Sequence, residues 1–245
     1  MRKVLFACST VILFAVSASA QKTKPWTEWS EKDAQKILND SAWGQTQTEG
    51  DTSSQTGSTS AITATTAARR EDVNTKAATN VESGEKKTLT SVHYRVRLLS
   101  AKPIRAAFVR MMEIQGAPPE KVVQLRTFVD RDFADYIVVA ITMDGNDAKR
   151  LGPAMAEIGN ADATVLKTTT YLERKDGKRV FLMDYRAPIQ DGLGAKFVFP
   201  RMVDGKPFVD TNSGEVRFST EVGKAVKISK RFKVNEMMYD GKLEY

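Results

Sequence analysis

Residues 215–234 read EVRFSTEVGKAVKISKRFKV. Val216, Phe218, Thr220 and Val222 fall on one side of a two-residue period, and Val226, Ile228, Phe232 and Val234 repeat the pattern after a short turn. Such alternation belongs to strands with one buried and one polar face. Upstream, Lys196–Pro200 and Lys206–Val209 flank Asp204-Gly205, and Val165–Arg174 and Lys178–Tyr185 flank Lys175-Asp176-Gly177. Asp-Gly turns between such runs are strong hairpin signals.

Before residue 165 the period changes. Ile104, Ala107, Phe108 and Met111 have helical spacing after Pro103, a residue suited to a first turn. Val122, Leu125 and Val129 mark a second helix after Pro118-Pro119, and Leu151, Met155 and Ile158 a third, which Gly152-Pro153 should weaken. Tyr136–Met143 is apolar on both faces and reads as a central strand. Val92, Tyr94, Val96 and Leu98 alternate with His93, Arg95 and Arg97, giving another strand. Helices followed by hairpins predict an α+β fold: a largely antiparallel sheet with two to three helices on one face, preceded by a disordered linker.

That domain is expected over residues 91–245. Residues 45–90 hold twelve Thr and five Ser and no aromatic residue. They cannot bury enough surface to offset their ordering entropy, so they read as a disordered linker. Residues 21–44 contain Trp26, Trp29 and Trp43 and a short helix, with Ser30 and Asp33 placed as a capping pair. Residues 1–20 have a basic start, an apolar run from Val4 to Val16 and the small residues Ala18-Ser19-Ala20. This is the pattern of a signal peptide cleaved after Ala20, which implies a periplasmic or secreted protein.

Composition narrows the chemistry. The chain has 245 residues, a net charge of +7, one His and one Cys. Loss of residues 1–20 would remove Arg2, Lys3 and Cys8 and leave a charge of +5. Outside the cytoplasm a mild positive charge favours anionic surfaces over nucleic acid. With one histidine and no retained cysteine, a zinc site has almost no material, and no metal or cofactor is expected. His93, between arginines on a polar strand face, reads as decoration rather than a general base. Asp144-Gly145-Asn146-Asp147 reads as a turn into a helix rather than a calcium loop.

Three features carry functional readings. Lys227, Arg231 and Lys233 point away from the apolar side of their strand, and Lys178-Arg179 would join them if the hairpins are neighbours. This makes a candidate anionic-surface site, or an edge strand guarded by lysines. The three tryptophans, outside the main domain by composition, are candidate partner-binding anchors on a tethered segment. Asp130, Asp132 and Asp135, and separately Asp184 and Asp191, could serve glycoside chemistry if paired across a cleft. No catalytic residue is assigned.

The Trp26-x-x-Trp29-Ser30 motif, its short helix and the closing Met238-Tyr239-Asp240-Gly241-Lys242-Leu243-Glu244 resemble uncharacterised exported bacterial proteins. The resemblance implies an envelope or secreted setting and brings no site residues. The expectation is an exported, non-enzymatic binding protein. Its partner would be an envelope protein or an anionic cell-surface polymer, and peripheral contact with a membrane is compatible. Two other readings are an extracytoplasmic carboxylate-dependent hydrolase and a domain enclosing a small apolar ligand.

Overall fold

Ser30 starts the first helix as its spacing predicts. Its hydroxyl accepts from the Asp33 amide at 3.2 Å, while its own amide donates to the Asp33 carboxylate at 3.0 Å. The Ser30 hydroxyl also donates to the Asp33 carboxylate at 2.7 Å, and this bond, with that from the Ser30 amide, holds the Asp33 carboxyl below its ordinary range. In the computed structural model, which describes residues 24–50 and 90–245, this helix is α1 (Glu31–Asn39). The signal peptide expected over 1–20, and the linker over 51–89, lie outside the described residues.

Among the described residues there are five α-helices, α1 included, and thirteen strands in a mixed order. The helices are α1, α2 (Lys102–Ile114), α3 (Pro119–Val129), α4 (Ala148–Gly159) and α5 (Ala163–Thr169). The first strands are β1 (Gly44–Gly50), β2 (Ser91–Leu98), β3 (Tyr136–Gly145), β4 (Tyr171–Arg174), β5 (Arg179–Phe181), β6 (Asp184–Arg186) and β7 (Ala195–Pro200). A small hairpin, β8 (Met202–Val203) and β9 (Lys206–Pro207), turns at Asp204-Gly205, where both residues have positive φ as a two-residue hairpin loop requires. The last strands are β10 (Glu215–Val222), β11 (Val226–Lys233), β12 (Met238–Tyr239) and β13 (Lys242–Leu243).

The strands form two main antiparallel sheets, ordered β1-β2-β3-β7-β6 and β11-β10-β4-β5. Their inner faces meet through Phe197, Phe199 and Phe218, with ring centroids 5.5 and 6.2 Å apart. The edges are joined too. At one seam the Gln45 side chain donates to the Arg231 carbonyl at 2.6 Å. Gln47 donates to the Lys227 carbonyl at 2.8 Å and accepts from the Ser229 amide at 3.2 Å. Glutamine side chains thus replace a strand ladder between β1 and β11. At the other seam Leu182 donates to Thr170 and Met183 to Val198, so the chain crosses between sheets there.

α1, α2 and α3 pack in series beside the five-stranded sheet, α1 meeting β1 and β2. α4 touches β3 and β11, and α5 touches β6 and β10, so both bridge the two sheets. β3 is buried on both faces, as its sequence predicts. α4 runs through Pro153 without breaking.

Two expectations are corrected. Residues 45–50, expected in the linker, are strand β1, paired with β2 from Gly44↔Arg97 to Gly50↔Ser91. Residues 165–169, the start of the strand expected over Val165–Arg174, belong instead to helix α5, started by Asp162 accepting from the Thr164 amide at 2.6 Å. Between the sheets, at Leu98, Ile137, Phe232 and Tyr245, a void measures about 10 Å³, too small for more than a water.

Candidate functional site

The outer face of the four-stranded sheet carries no helix among the described residues, and its side chains stand in rows across the strands. Register places Arg231 opposite Arg217, Arg217 opposite Glu173 and Glu173 opposite Arg179. One glutamate therefore stands among three arginines. Its carboxylate accepts from Arg179 Nε at 2.7 Å and from Arg217 Nη2. These bonds, that from Arg179 first, hold the Glu173 carboxyl below its ordinary range. Both guanidinium groups are thereby fixed in direction, with further donors that meet no acceptor among the described residues. Arg231 is exposed and has no carboxylate partner among the described residues.

The adjacent row runs Ser229, Ser219, Tyr171, Phe181. The Arg179 guanidinium lies 4.5 Å from the Tyr171 ring centre, and Phe181 meets that ring edge-on at 5.9 Å. Phe181 is 48% exposed, unusual for a phenylalanine on a sheet face. A groove of about 380 Å³ runs past Glu173, Lys175 and Arg217. A second, of about 790 Å³, runs between α1 and β11 past Lys36, Lys230 and Lys233. Both are lined by Glu215 and Arg231, so they adjoin into one trough.

Sequence reasoning put Lys227, Arg231 and Lys233 on this face, and all three are there. Lys227 pairs with Glu221 at 2.6 Å and Lys233 with Glu236 at 2.9 Å. Each of these bonds raises the lysine above its ordinary value. Exposed pairs of this kind are worth little and exchange readily. Arg179 joins the face because the β4–β5 hairpin lies beside β10. Arg217 and Glu173 were missed, although the alternation through 215–222 already set Arg217 outward.

Two of the three tryptophans expected as partner anchors pack into the chain's own core. Trp29 and Trp43 are buried, at 9% and 7% exposure, within the chain's own core. The Trp29 indole donates to the Lys24 carbonyl at 3.1 Å and the Trp43 indole to the Glu244 carbonyl at 2.8 Å. Both rings meet Tyr239 edge-on, and Trp26, half-buried, lies under Arg126. The apolar area and polar handles of Trp29 and Trp43 are spent inside the molecule.

No family model matches the chain, and no curated protein matches it. Among solved structures, a protein of unknown function from Burkholderia pseudomallei is similar over part of the chain. Identity is 9%, the TM-score is 0.35, and the match covers 56% of this chain and 72% of that one.

The acids converge elsewhere. Asp132, Asp135, Asp184 and Asp191 line one cleft of about 660 Å³ on the outer side of the five-stranded sheet, with Val138 and Val198 also in its wall. Asp191 is held by Lys196 at 2.7 Å and Asp184 by Arg186 at 3.3 Å, while Asp130 pairs with Lys102. No group of three metal-ligating side chains stands together among the described residues. His93 rests between the hydroxyls of Thr48 and Ser91, at 3.0 and 3.2 Å. Asp144, opposite it on β3, is bound to Arg95 at 2.6 Å, and no carboxylate among the described residues is hydrogen-bonded to His93.

Proposed function

We propose that this is an exported, non-enzymatic binding protein that holds an anionic cell-surface polymer on the open face of its four-stranded sheet. The row of three arginines on one glutamate carries this reading. A surface serving only to block edge pairing needs scattered lysines, whereas here a carboxylate orients two guanidinium groups and a third stands free beside them. Oriented guanidinium donors suit carboxylate or phosphate oxygens, which they meet in bidentate fashion. The trough supplies length for a polymer rather than a pocket for a small anion.

The test is retention of the full chain on an immobilised polyanion during a salt gradient. Replacing Arg217 and Arg231 together with Ala should move elution to lower salt, because fewer counterions are then released on binding. Unchanged elution would count against the reading. A second reading, a carboxylate-dependent hydrolase, is favoured by the convergence of four aspartates on one cleft. Its sign in the same experiment would be shortening of the polymer, abolished by Asp184→Asn.

A further inference from the structure

The charge reading leaves the chemistry of the polymer open, and the two adjacent rows narrow it. Neighbouring strands lie about 4.8 Å apart, so Arg217 and Arg179, two strands apart, are separated by roughly 10 Å at their backbones. Glu173 lies between them and takes a bond from each. A ligand with closely packed negative charge would set one of its anions against that carboxylate. A chain whose anions are spaced along it would put them on the arginines and pass over the glutamate with neutral groups.

The neighbouring row answers the neutral part. Ser229 and Ser219 offer hydroxyls at the height of the strand faces, and Tyr171 continues the line. Phe181 closes it as an exposed ring, braced by Tyr171, which Arg179 in turn covers. An aromatic face beside hydroxyl and guanidinium donors is suited to a pyranose ring with its apolar C–H face, its hydroxyls and an attached carboxylate. A membrane is a poorer match. Interfacial binding draws on a buried apolar stripe, and Phe181 is the one exposed large apolar residue in these two rows.

Resting on the reading above, we infer that the polymer is a linear polysaccharide carrying carboxylates on spaced sugars. It would lie across the strands with one carboxylate shared by the neighbouring Arg231 and Arg217, the next on Arg179, and one sugar face against Phe181.

The test titrates the full chain calorimetrically with three probes at one ionic strength. These are hyaluronate oligosaccharides, which carry a carboxylate on alternate sugars, polyphosphate of matched total charge, and phosphatidylglycerol vesicles. Hyaluronate is expected to bind more tightly than polyphosphate despite its lower charge density. Phe181→Ala and Phe181→Leu should each weaken hyaluronate by about two- to tenfold, the range of a lost aromatic contact, and leave polyphosphate unchanged. The leucine variant keeps an apolar residue on the strand, so its loss reports the ring rather than folding. If polyphosphate or vesicles match hyaluronate, or Phe181 has no influence, the glycan inference fails while the anionic-polymer reading survives through the arginines. If none of the three binds, that reading fails and takes this one with it.

Discussion

Replacing Trp43 with Ala tests whether the amino-terminal segment is structural. The ring is 7% exposed, meets Tyr239 at 6.3 Å, and its indole bonds to a carbonyl 201 residues away in the chain. Truncating a buried tryptophan costs about 3–5 kcal/mol. Roughly 1 kcal/mol of that is the lost hydrogen bond. For a domain of this size each kcal/mol lowers the melting temperature by about 2–4 °C, so a fall of about 6–20 °C is expected. Trp43→Phe keeps most of the buried area and should cost about 1–2 kcal/mol, mainly the unmet Glu244 carbonyl. The assay is urea unfolding followed by circular dichroism, with a thermal melt alongside. A segment tethered outside the core would leave both midpoints unmoved, within about 0.5 kcal/mol for a surface change. That result in Trp43→Ala would refute the packing described here.

Gln47→Leu should open the seam between the sheets. It removes the bonds to the Ser229 amide and the Lys227 carbonyl of β11, both exposed, at a cost of about 0.5–1.5 kcal/mol each. Native-state hydrogen exchange should show the Ser229 amide losing protection, and unchanged protection would show the seam closes without the side chain. Alkaline pH should destabilise the fold through Tyr94 and Tyr185. Burial pushes both phenols up to about 12, with the Glu49 charge adding to the effect at Tyr94. Their folded pKa is raised, so their contribution is whole below the unfolded value near 10 and is lost as pH rises through 12. Each contributes at most about 2–3 kcal/mol. Urea midpoints measured from pH 8 to 12 should hold level to about pH 10 and then fall, and a level profile to pH 12 would contradict the shifts.

Much of the fold was legible because its signals are local. The Ser30–Asp33 cap, the alternation of β2, β10 and β11 and the Asp-Gly turn at 204–205 each depend on residues a few positions apart. β1 was not legible. Its residues GQTQTEG contain no apolar side chain, and Gln45 and Gln47 face the seam only because β11 lies opposite. α5 was read as strand from Val165 and its threonines, β-branched residues that favour strands. The Asp162 cap was the signal against that reading, and burial of Leu166 favours the helix.

The same division holds at the candidate site. Alternation along β11 determined that Lys227 and Arg231 point outward, since side chains of a strand change face at every residue. That Arg217, Glu173 and Arg179 stand in line with Arg231 was decided by strand order and register between segments about forty residues apart in the chain. The tryptophans show the converse. Their clustering and their cost in water were plain from the sequence, but whether that cost is met by a partner or by the chain's own core depends on where Tyr239 and Glu244 come to rest. No local pattern encodes a contact across two hundred residues, and only the packed structure makes it.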